Sequence, residues 1–136
     1  MSLADRQREI VERLRIIEDP QERLSALMSR AKKWPIPTQA QLTDAYRVRG
    51  CQSRVWLVPS LEEGMCHFRM ECDAPMVKGL VALLCELYEG APPAEVREFE
   101  PTLMDDLGFT RMISPTRLNG LAAVRARIRE FATGRD

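Results

Sequence analysis

A chain of 136 residues, 45% of them hydrophobic, suffices for one domain around a single core and is too apolar for a disordered polymer. Twenty basic side chains balance twenty acidic ones, which excludes a global field that would recruit nucleic acid or an anionic membrane but leaves room for a local patch. No stretch approaches the roughly 18–20 apolar residues of a bilayer span, and the charged opening MSLADRQREIVERL lacks the apolar segment of a secretory signal. Cys51, Cys66, Cys72 and Cys85 form no C-x-x-C pair, so free thiols and a cytoplasmic location are expected.

In chain order, Leu3, Ile10, Leu14 and Ile17 recur at helical spacing and predict an amphipathic first helix. Asp19-Pro20 ends it and opens a second, with Leu24, Leu27, Met28 and Ala31 as its apolar stripe. Trp34-Pro35-Ile36-Pro37 breaks that helix, because proline removes a backbone donor and restrains its predecessor. A linker follows to about Gln41. The period then changes to two: Val55 and Leu57 alternate with Arg54 and Trp56, and Cys66, Phe68, Met70 and Cys72 alternate with His67, Arg69 and Glu71. These predict a hairpin turning between Pro59 and Gly64, centred near Leu61-Glu62-Glu63. A third strand is expected at Ala45 to Val48.

Helices return after the hairpin. Asp73 is expected to cap a helix whose apolar face is Val77, Leu80, Val81, Leu84 and Leu87, closed by Gly90. Short helical pieces are predicted at Pro93–Phe99 and Pro101–Leu107, the second stopped by Gly108. Ser114-Pro115, a cap followed by proline at the first helical position, opens a last helix to about Ala132 with Leu121, Val124, Ile128 and Phe131 inward. The reading is a single α+β domain over residues 1–136: a small antiparallel three-stranded sheet with helices packed on one face.

Gly50-Cys51, at a turn before the strand-like run, reads as a cysteine presented for chemistry, since glycine permits backbone conformations other residues resist. The alternative is a buried structural cysteine. A free thiol with a pKa of about 8.5 is only about one tenth ionised near pH 7.5. Arg47, Arg49 and Arg54, or turn N–H groups, could raise that fraction.

The run Gly50-Cys51-Gln52-Ser53-Arg54-Val55-Trp56-Leu57-Val58, followed by Asp73-Ala74, Val77-Lys78-Gly79-Leu80, Ser114-Pro115-Thr116-Arg117 and Gly120-Leu121, resembles the SufE-type sulfur-acceptor family. The resemblance implies the SufE/IscU-like fold. It also implies that Cys51 takes persulfide sulfur from a cysteine desulfurase, stimulates that enzyme and passes sulfur toward a cluster scaffold protein. The pyridoxal phosphate belongs to the desulfurase; no cofactor is expected here, and the chain is a sulfur-carrying partner rather than a stand-alone enzyme. Gly50, Gln52, Ser53, Asp73 and Arg117 are the residues expected to support the acceptor loop. Gln52 and Ser53 either place donors near the sulfur or complete the turn, and Arg117 either steadies a sulfur anion or pairs with a carboxylate such as Asp73.

Counting from the expected turn puts Cys72 across from about position 52, within reach of Cys51. The family pattern has serine there, so Cys72 is a candidate second thiol, with a packing role as the alternative. Cys66 and Cys85 fall on apolar faces and are expected in the core. Successive cysteine spacings of 15, 6 and 13 lack the close ligand pairs of structural zinc sites. Two further functions are compatible with the residues: an iron–sulfur cluster scaffold, which needs about three ligands, and a cysteine hydrolase using Cys51 with His67.

Overall fold

Glu63 and Gly64, at φ +53° and +78°, make a two-residue turn of the kind whose twist matches paired strands. That turn sets the hairpin at the centre of the computed structural model, which describes residues 1–135. Strand β1 (Val55–Glu62) pairs antiparallel with β2 (Met65–Cys72), Glu62 opposite Met65 and Val55 opposite Cys72. The register therefore differs by three residues from the expected one, because β1 continues through Pro59 instead of turning there. Val55 and Leu57 share the buried face with Cys66, Phe68, Met70 and Cys72.

The sheet has two strands, not three. Asp44–Tyr46 coils into a 3-10 turn, and only Arg47 and Val48 remain extended beside β1. They contribute a single bridge, Arg47 to Trp56, and one hydrogen bond, Val48 N–H to Val55 O at 2.8 Å. The other side of the hairpin is closed without a strand. Trp34 Nε1 donates to Phe68 O at 3.0 Å and Met70 N to Pro35 O at 3.2 Å. Phe68 N donates to the Glu89 carboxylate at 2.9 Å and Cys66 N to Ala91 O at 2.9 Å. The segment that breaks the second helix thus serves as an edge cover, satisfying backbone groups that would otherwise invite another chain.

The helices follow the sequence pattern closely. Helix α1 (Leu3–Arg15) is capped by Ser2 and buries Leu3, Ile10, Val11 and Leu14; α2 (Pro20–Ala31) is capped by Asp19 and buries Leu24, Leu27 and Ala31. Helix α3 (Pro75–Tyr88) is buried almost all round, as a helix between the hairpin and α2 must be. Its cap position is Ala74, without a side-chain hydrogen bond, so the expected Asp73 cap does not form. Two short helices, α4 (Pro93–Glu98) and α5 (Leu103–Asp106), lead to α6 (Pro115–Ala132), where Ser114 Oγ accepts from Arg117 N. Helix α6 packs against α4, α3 and β1, and Phe131 near its end meets Phe68 edge-on at 6.3 Å. Val55 at the start of β1 and Cys72 at the end of β2 face each other at the end of the hairpin where the preceding loop enters β1.

Candidate functional site: the Cys51 loop

The loop 49–54 leaves Val48, turns back and re-enters the sheet at Val55, so its two ends are tied by the Val48–Val55 hydrogen bond. Gly50 sits at φ +93°, and a Cβ there would stand 3.3 Å from that of Ala123 on α6. Only glycine meets both demands without strain. Asp73 closes the loop from the other side: its carboxylate accepts Arg54 N–H at 2.9 Å and its own N–H donates to Arg54 O at 3.2 Å. The residue expected as a helix cap is instead a clamp on the base of the loop.

Cys51 is not bared at the tip. It is half-buried under α6, and its thiol donates to Gly120 O at 3.2 Å. Gly120 permits the approach, since a Cβ at that position would lie 3.1 Å from Sγ. Burial pushes the Cys51 pKa above the ordinary thiol value, and no arginine charge offsets the rise. The expectation that Arg47, Arg49 or Arg54 would ionise the thiol does not hold in this conformation. The resting sulfur is a protonated donor, latched to a helix carbonyl.

Gln52 is exposed and Ser53 half-buried, and neither side chain hydrogen-bonds the thiol. Arg117 is exposed, with Nη1 3.3 Å from Met76 Sδ, and makes no ion pair with Asp73. Cys72 is buried, its thiol 3.6 Å from Ala74 O. Burial raises its pKa first, and the negative charges of Asp73 and of a Cys51 thiolate add to the rise, so the two sulfurs lie within electrostatic reach. Its strand neighbour is Val55 rather than position 52. Cys66 and Cys85 are fully buried in the core. His67 stands opposite Ser60, with Nδ1 on Glu89 and Nε2 3.7 Å from Glu62, so its ring is engaged with carboxylates and not with Cys51. Among the described residues no group of His, Cys, Asp or Glu is placed to hold a metal ion.

Two features of the site escaped the sequence reading. Gly120, present in the sequence reading only as part of the family pattern, and Ala123 form its roof, and their signal was the small residues along one face of α6 (Gly120, Ala123, with Ala122 beside them). A surface depression beside the thiol is lined by Asp44, Arg47, Val48, Arg49, Gly50 and Cys51. Chemically, the arrangement offers one nucleophilic sulfur that can be stored in its thiol form and released by movement of a short, doubly clamped loop.

The SufE model, described as an Fe-S metabolism associated domain, matches residues 8–132. The chain belongs to the SufE family. An uncharacterized SufE-like protein of Synechocystis is 35% identical over 82% of this chain and 70% of its own length. The sulfur acceptor protein CsdE of Escherichia coli is 34% identical over 79% of this chain and 72% of its own. A solution structure of a hypothetical protein from Thermus thermophilus superposes with a TM-score of 0.76 at 26% identity, covering 93% of this chain and 92% of that one. As a SufE-family chain it keeps the α+β architecture with an antiparallel hairpin, and no helix among the described residues is long and apolar enough to cross a membrane.

Proposed function

We propose that this SufE-family protein accepts sulfane sulfur on Cys51 from the persulfide of a pyridoxal-phosphate cysteine desulfurase, stimulates that enzyme by clearing its cysteine, and passes the sulfur to a cluster scaffold in the cytoplasm. The observation that carries the reading is the Cys51 loop: a thiol on a glycine turn, clamped at its base by Asp73 and held by one hydrogen bond to Gly120. In the transfer, the Cys51 thiolate attacks the terminal sulfur of the donor persulfide. The donor S–S bond breaks, a new Sγ–S bond forms, and the electron pair leaves with the donor cysteine as its thiolate. The proton lost by Cys51 balances the charge, and no external oxidant enters.

Gly50 gives the turn, Asp73 fixes where it hinges, and Gln52 and Ser53 supply the short span that moves. Arg117, one helical turn before Gly120, would meet a sulfur anion once the loop swings outward. Cys66 and Cys85 face the core, which leaves Cys72 as the single thiol near Cys51 and argues against a cluster scaffold drawing on cysteine ligands.

The test is sulfide release from cysteine by a purified desulfurase, with reductant, in the presence and absence of this protein. Stimulation is expected for the wild type, together with a gain of one sulfur mass on the peptide containing Cys51. Cys51→Ser, nearly isosteric but unable to form a persulfide, should fold normally and give neither signal. Undiminished stimulation by the serine variant would sink the relay.

A further inference from the structure

Arginines of this chain are mostly tied down. Arg13 and Arg30 pair with Glu86, Arg6 with the carbonyls of Leu87 and Glu89, Arg23 with those of Ile17 and Leu107, and Arg125 with that of Phe99. Around Cys51 the pattern reverses. The side chains of Arg47, Arg49 and Arg54 have no hydrogen-bond or carboxylate partner among the described residues, and Arg117 touches only a thioether. Elsewhere among the described residues only Arg111 is similarly free.

These free guanidinium groups come from three segments that converge on the thiol: the entry to the loop, its exit, and the first turn of α6, whose Gly120 holds Sγ. The nearby carboxylates do not neutralise them. Asp73 is spent on the Arg54 amide, and Asp44 lines the same depression as Arg47 and Arg49 without pairing to either. Nor do the arginines perturb the resting thiol, whose pKa is raised by burial. A concentration of unpaired positive charge, in a chain whose total charge is zero, thus has no role within the fold. Arg49, Arg54 and Arg117 are exposed and lie on three separate segments, an arrangement suited to a protein surface.

We infer that the arginine rim around Cys51 is a docking collar for an acidic surface on the sulfur donor, whose carboxylates surround the donor's own persulfide cysteine. This rests on the sulfur-acceptor reading and adds the partner's chemistry to it. Guanidinium groups suit the task because they are permanently charged, weakly hydrated and able to grip carboxylates with two donors. Charges at the rim of an interface act chiefly on encounter rate and salt dependence, so the collar would steer the donor and leave the sulfur step itself to Cys51.

The experiment compares two donors for each variant: a purified cysteine desulfurase carrying its persulfide, and a small persulfide without a carboxylate or a protein surface, that of N-acetylcysteine methyl ester. Acceptance on Cys51 is read by mass in single turnover across an ionic-strength series. Wild type should accept from both, with the desulfurase reaction slowed by salt much more steeply than the small-donor reaction. In Arg49→Glu/Arg54→Glu the ratio of desulfurase to small-donor rate should fall on the order of tenfold or more at low salt, and the salt dependence should flatten or invert. Arg49→Lys/Arg54→Lys should keep most of the ratio. An unchanged ratio in the glutamate variant would overturn the collar while leaving the acceptor reading standing, as would an equal fall with both donors, which would assign the arginines to the sulfur chemistry. A wild type that accepts from neither donor would remove the acceptor reading, and the collar with it.

Discussion

Burial favours the protonated form of the Cys51 thiol, and a single weak contact to Gly120 O holds the sulfur in that half-buried position, so its reactivity is set by how easily that contact is lost. Gly120→Ala tests this directly, because the added methyl would stand 3.1 Å from Sγ and the thiol is the part able to give way. Glycine inside a helix also costs about 1 kcal/mol relative to alanine, so the helix itself gains from the change. Iodoacetamide should therefore alkylate Cys51 several-fold faster in the variant near neutral pH, with the midpoint of its pH profile moved down toward the ordinary thiol value of about 8.5. An unaltered profile would show that the Gly120 contact does not govern the thiol. Cys72 lies within electrostatic reach but beside Val55, so it meets Cys51 only when the loop shifts. Diamide, which takes up two electrons and two protons as two thiols join, is expected to form a Cys51–Cys72 bridge that blocks sulfur acceptance and is reversed by dithiothreitol. Peptide mapping that finds both thiols separately alkylatable after diamide would leave Cys72 a packing residue.

Among the elements, the hairpin is stabilised from outside as much as by its own ladder. Trp34→Phe keeps a smaller aromatic ring and removes the donor to Phe68 O, and should lower stability by about 1 kcal/mol or somewhat more, measured as a shift in urea midpoint without change in slope. No loss would mean that the edge cover is held by Pro35 and Glu89 alone. Strict alternation in β2 identified its buried face, apolar spacing located α1, and caps with prolines located the starts of α2 and α6, because those signals are local. The register was missed because it depends on Glu63 taking a positive φ, a strained conformation that no local preference of glutamate announces. The third strand failed because Asp44–Tyr46 prefers a tight turn, leaving too few extended residues. Asp73 looks like a cap from its local sequence, and only the family pattern sets it beside the acceptor loop; that it reaches back to Arg54 follows from the hairpin closing above it. Cys51 itself was legible from Gly50-Cys51 and the family pattern, whereas its roof, Gly120 and Ala123, required the tertiary packing of α6 over the loop.

For the molecule as a whole, the buried acids dictate how stability responds to alkali. Burial raises the pKa of Cys51, Cys66, Cys72, Cys85 and Tyr88, and Cys85, fully enclosed in α3, is moved furthest among the thiols. Each of these groups keeps its proton in the folded state after the unfolded chain has begun to lose it. Stability from them is therefore complete below the unfolded thiol pKa of about 8.5 and declines as pH rises toward the folded values, because the unfolded state alone gains by ionising. The urea midpoint should accordingly drop between about pH 7 and about pH 10. Cys85→Ala separates the two contributions that this side chain makes. At neutral pH the variant should be less stable by about 1 kcal/mol or somewhat more, from the small cavity in the core. Its further loss on going to alkali should be smaller than that of the wild type, because one buried thiol no longer titrates. Sulfur acceptance at Cys51 should persist in this variant, since Cys85 lies on a core-facing turn of α3 and not at the loop. An alkaline drop equal to the wild type's would show that the thiol of Cys85 does not contribute to it, and loss of acceptance at an unchanged urea midpoint would give Cys85 a functional role that its burial argues against.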